Sequence, residues 1–150
     1  MTRQWQLIRD AQTFMEASRR ANSALKGIHF LQIARKSGRP PRISYVEKID
    51  DGIKLLEEVL TTLEARETQE TVSSGALSIL YAISQKRLIS GSSALKQIIR
   101  ASIEELQKFK QGESDNIEEA ENLLEIITSS AGEEAMKASA KVRVFMMEVR

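Results

Sequence analysis

Cysteine is absent from this chain, so disulfides, thiolate metal ligands and a thiol nucleophile are all excluded. Histidine occurs once, at His29. A single imidazole rules out a multi-histidine metal site within one chain, and also the paired Glu-x-x-His motifs of helical di-iron bundles. With no serine or cysteine at an elbow-type turn beside it, His29 reads as a helix-flank residue. Prolines number two and glycines seven, which argues against disorder and against a strand-and-turn architecture. Those glycines build no phosphate loop, because Gly38-Arg39-Pro40 and Gly91-Ser92-Ser93 lack the spacing and the lysine of a Walker motif. Long apolar runs are missing too. Nothing approaches the roughly 20 apolar residues that span a bilayer, and the first fourteen residues hold no signal-peptide core. A cytoplasmic protein without a membrane segment is the expectation.

What is present is charge, unevenly placed. Residues 1–42 hold nine Lys and Arg against two acids, a net +7, whereas residues 43–150 hold thirteen against nineteen, a net −6, which together make the overall +1. Such asymmetry points to an anionic or charge-complementary partner. At 150 residues, 41% hydrophobic and 29% charged, the chain is long enough to bury a core of its own as one domain.

Helical periodicity runs through nearly all of it. Val46, Ile49, Ile53, Leu56, Leu60 and Leu63 alternate by three and four without a break, preceded by Ser44 and Glu47 at capping-box spacing. Upstream, Ser37-Gly38-Arg39-Pro40-Pro41-Arg42 is the one strong breaker. Before it, Leu7, Ala11, Phe14, Ser18, Ala21, Leu25 and Ile28 share a face, flanked by Met15, Ala24 and Leu31, and predict one long helix over about 3–36, in which Gly27 leaves room for a bend or a split into two helices. A third helix, from Val72 to about Leu88, is apolar around most of its circumference and is expected in the middle of the bundle. Leu95, Ile99, Ile103 and Leu106 make a fourth. Asp115 with Glu118 opens a short fifth helix, and Ser130 with Glu133 repeats the cap before a last helix toward Arg150.

Carboxylates are the only side chains left for catalysis. Glu118, Glu121 and Glu125 share one helical face, as do several acids of residues 47–58, but a solvated face opposite the hydrophobic seam accounts for them, and the tandem Glu pairs lack the further acid of a Glu-Glu-x-x-Glu magnesium motif. No catalytic residue, metal site or cofactor is assigned. Two other features are candidates for binding. Arg9, Arg19, Arg20, Lys26, Arg35, Lys36, Arg39 and Arg42 are placed to form a phosphate-binding stripe, or to dock the basic first helix on acidic helices. At the other end, Val142, Val144, Phe145, Met146, Met147 and Val149 spread over more of a helix than one neighbour covers.

The expected fold is therefore all-α, a single-domain bundle of five or six helices over 1–150. A long basic N-terminal helix occupies 1–42, an acidic helical bundle 43–150, and the first and third helices organise the core. The expected function is a non-enzymatic helical interaction or assembly subunit, oligomeric through its C-terminal helix, with Val142, Phe145, Met146, Met147 and Val149 at the interface. The alternative is a small subunit of a nucleoprotein complex that holds RNA or DNA phosphates on the eight basic residues.

Overall fold

Three-and-four spacing is realised as five α-helices in a computed structural model that describes residues 2–69, 72 and 74–148. They are α1 (Thr2–Lys36), α2 (Ile43–Glu67), α3 (Ser74–Lys86), α4 (Ser92–Lys110) and α5 (Glu118–Glu148), with no strand among the described residues. Helix α1 is unbroken through Gly27. That glycine is a close-approach point: a Cβ there would lie 2.8 Å from the Lys48 Cβ and 2.8 Å from the Tyr45 carbonyl oxygen. One turn away, a Cβ on Gly52 would lie 2.5 Å from the Ala24 Cβ. Two glycines thus let α1 and α2 cross with their backbones close.

The buried stripe of α1 is Ala11, Phe14, Ala17, Ala21, Ala24, Ile28, Leu31 and Ala34. It is rotated from the expected one: Ala17 and Ala24 are buried, Ser18 and Leu25 sit at the edge, and Met15 is exposed. The rotation follows from α1 having two long neighbours, α2 on one flank and α5 on the other. Its pairing with α5 is antiparallel, since the Ser18 hydroxyl donates to the Thr128 carbonyl at 3.2 Å while Ala11 and Phe14 cluster with Ala135 and Ala138.

Helix α5 is continuous where a restart at Ser130 and Glu133 was expected. Its residues Ala131, Ala135 and Ala138 face α1, and Gly132 has the Ser18 hydroxyl beside it. Nothing in that stretch forces a break, and packing on α1 rewards an uninterrupted helix. Nor does Ser44 cap α2: the helix opens at Ile43, with Arg42 in the N-cap position and no side-chain cap bond.

The third helix is not central. Ile79, Leu80 and Ile83 are buried, yet Tyr81 and the following Leu88 are exposed. An apolar circumference alone does not place a helix inside. At 13 residues, α3 is the shortest of the five, and the positions against α1 are already taken by the longer α2 and α5. It lies over the Phe14 end instead, where Gly75 meets Thr13 and Phe14.

Helices α1 and α4 end on glycines in the left-handed region, Gly38 (φ 66°) and Gly112 (φ 80°). The next amides, Arg39 and Glu113, reach back to Ala34 and Lys108 at 2.9 Å each, closing the last turns. One core cluster runs through all five helices, with Phe109, Leu106, Leu56, Leu123, Leu124 and Ile127 buried inside it. The charge boundary at residue 42 is no boundary in packing. Gly52→Ala gains about 1 kcal/mol of helix propensity but forces α1 and α2 apart, and overpacking of this kind costs about 1–3 kcal/mol. A lower urea midpoint by circular dichroism is the expected result, and a variant as stable as wild type would show that the two helices separate without penalty.

Candidate interaction surface

Beyond the bundle the two longest helices continue together. No described side chain of α1 before Ala11, and none of α5 after Ala138, is buried. The last part of α1 that α3 and α2 reach lies around Gln12, Thr13 and Phe14. Outward of it, α1 and α5 form a two-helix arm about 15 Å long, at 1.5 Å per residue. Along α5 the positions facing α1 are Ala131, Ala135, Ala138, Val142 and Phe145, spaced four and three throughout. Val142 and Phe145 are therefore the half-buried continuation of the α1 seam. Both positions of the expected interface are half-buried, and Phe145 also borders the groove beside α1.

The rest of that interface is exposed. Met146 and Val144 are more than half accessible, Met147 is 74% and Met136 76%. Met136, Ala140, Val144 and Met147 lie four, four and three residues apart, so they fall on one outer face of α5. Sequence reading missed Met136, which stands ten residues before the Met pair and is separated from it by polar positions. Val149 lies outside the described residues. Between the stripe and α1 runs an open groove of about 620 Å³, lined by Leu7, Ala140, Lys141, Val144, Phe145 and Glu148.

The eight basic residues do not form one stripe. Arg20, whose side chain is 13% exposed, pairs with Glu58 of α2 at 2.6 Å. Arg35 crosses the far end of the bundle, where it donates to the Phe109 carbonyl, stands 4.4 Å from the Phe109 ring centroid and reaches Asp115 at 3.5 Å. Arg19 is engaged by Glu16 at 2.6 Å, and this pair holds the Glu16 carboxyl below its usual range and raises the Arg19 guanidinium. These three cations serve the chain's own acids. Lys26, Lys36, Arg39 and Arg42 are exposed and make no ion pair among the described residues, and Arg9 lies apart on the arm. Beside Lys26 the structure brings together two rings that the sequence keeps 15 positions apart. Phe30 and Tyr45 stand 5.4 Å apart by centroids, with Lys48 5.5 Å from the Phe30 ring and His29 flanking it.

Carboxylates gather at the start of α5. Glu105 of α4 accepts from the Ala120 amide at 3.0 Å, satisfying a free N–H of the first turn from another helix. Burial raises its pKa above the ordinary value, helped by Glu119 and Glu118 and opposed by the amide bond. Glu121 is raised as well, by burial and by Glu125. Among the described residues no group of three or more His, Asp or Glu side chains is arranged to hold a metal ion, and no helix is long and apolar enough to cross a membrane. No family model, curated protein or solved structure matches this chain.

A carboxyl whose folded-state pKa lies above its unfolded one stabilises most below the unfolded pKa and loses that contribution as pH rises through the folded value. Glu105→Gln keeps an acceptor for Ala120 and cannot ionise. Relative to wild type, the variant should gain stability between pH 4 and pH 7 in urea titrations. A constant difference across that range would show that Glu105 carries no ionisation penalty.

Proposed function

We propose that this chain is a non-enzymatic helical assembly subunit that self-associates through the two-helix arm, chiefly through α5 beyond Ala138. The observation that carries this reading is the exposed stripe of Met136, Ala140, Val144 and Met147 on the outer face of α5, the last three of them on the arm. Each large apolar side chain left in water forgoes roughly 1.5–3 kcal/mol of burial. Helix stability in proteins comes mainly from tertiary packing, so the projecting ends of α1 and α5, with one narrow shared seam, gain from a further cover. Methionine is suited to the task because its flexible thioether fills irregular gaps.

Val144→Glu with Met147→Glu places charge on the stripe while leaving the Val142 and Phe145 seam to α1 intact. The pair should turn an oligomer into a monomer of unchanged helicity, by light scattering and circular dichroism at tens of micromolar, since a charge buried without a partner costs several kcal/mol. A monomeric wild type would remove the reading. A double variant that stays oligomeric would move the interface elsewhere.

The alternative, binding of RNA or DNA phosphates at the basic end, is favoured by one observation of its own. The Phe30–Tyr45 pair, with Lys48 over it, stands beside Lys26, and base stacking on aromatic rings with cations for the backbone is how single strands are held. Under this reading Lys36, Arg39 and Arg42 changed together to Gln weaken binding to single-stranded oligonucleotides in gel shifts, and flatten the salt slope by about 0.7 per lost phosphate contact. Absence of binding by wild type at low salt would end it.

A further inference from the structure

We propose that the occupant of the α1–α5 groove is the same segment of a second copy, lying antiparallel across a two-fold axis that passes between Val144 and Phe145. This rests on the self-association reading and specifies its geometry. An isologous interface is self-complementary, so each contact is made twice and the surface must match itself under rotation. Lys141, Val144, Phe145 and Glu148 are spaced by three, one and three along α5, and all four line the groove. That pattern is symmetric about its centre in polarity, charged at the ends and apolar in the middle, and antisymmetric in the sign of the charge. An antiparallel copy with Val144 opposite Phe145 sets Lys141 against the partner's Glu148, and Glu148 against the partner's Lys141.

Within one copy these two charges cannot meet. Seven residues of helix separate them by about 10 Å, and neither forms an ion pair with another described residue. Leu7, Val144 and Phe145 place apolar area at the middle with the charges at either end, the arrangement of an interface with an apolar core and a polar rim. A parallel copy brings Lys141 against Lys141 and Glu148 against Glu148, and like charges so juxtaposed oppose association. A partner of strongly opposite charge fits less well, because the groove carries one cation and one anion.

Sedimentation equilibrium on the full chain tests the geometry with Lys141→Glu, Glu148→Lys and the double reversal. Each single reversal creates two like-charged pairs in the two-fold interface and should weaken self-association at least about tenfold, whereas the double reversal restores both pairs and should return within about threefold of wild type. Carbodiimide treatment of wild type supplies a measurement without mutation, since the covalent dimer should yield a peptide joining Lys141 to the partner's Glu148 by mass spectrometry. The antiparallel arrangement is overturned if single reversals leave association unchanged while Val144→Glu with Met147→Glu abolishes it, an outcome that spares self-association itself. It is equally overturned if the double reversal is no better than the singles, or if the covalent dimer is linked only through other pairs. A monomeric wild type overturns both proposals.

Discussion

The close antiparallel contact of α1 with α5 is the constraint on which the other helices depend. It is built from small side chains: Ala11, Ala17, Ala21 and Ala24 on α1, and Ala131, Ala135 and Ala138 on α5, with Gly132 beside Ser18. Small residues bring helix axes toward the near end of the usual 8–10 Å range. Close axes bury little apolar area per residue, so larger side chains on the outer helices point inward to add burial, as Leu56, Leu106 and Phe109 do. Gly27 and Gly52 repeat the device on the α2 flank. Between them, the two contacts leave α3 only a peripheral place.

Electrostatics follow this packing and do not lead it. Arg20, Lys110 and Arg100 each bridge from one helix to an acid of another, Glu58, Asp50 and Glu64, and Arg87, just past the end of α3, reaches Glu119 of α5. The Arg100–Glu64 pair is well exposed on both sides, and such a pair contributes about 0–1 kcal/mol, whereas the other three cations are half-buried. Their effect is on register and orientation. Part of the +7 of the first 42 residues is thereby answered inside the fold, which removes Arg20 and Arg35 from any external partner. Among the described residues of this segment, Lys26 on α1 and Lys36, Arg39 and Arg42 at the proline loop make no ion pair, and all four lie far along α1 from the arm.

The arm shares its seam with the bundle. Val142 and Phe145 continue the seam of α5 on α1, while Met136, Val144 and Met147 on the outer face are mostly exposed.

Periodicity alone made the all-helical class, the proline loop and the excess of apolar surface at the C-terminus legible, because each depends on residue type at fixed spacing. The long first helix was visible too. What the tertiary structure decided was every choice among faces. Gly27 reads as a weak point in the helix from sequence alone, but a Cβ there would lie 2.8 Å from the Lys48 Cβ, which makes it a point of close helix contact. Ser130 and Glu133 read as a cap, yet the small face beside them packs on α1 and keeps α5 whole. The third helix looks central by composition, and lost that place because its 13 residues compete with α2 and α5 for the same side of α1. Phe30 and Tyr45 become a pair only when α2 folds back. Local pattern determines which helices form and which stripe on each is apolar, whereas the partner of each stripe is set by length and close approach, quantities that exist only once the helices meet.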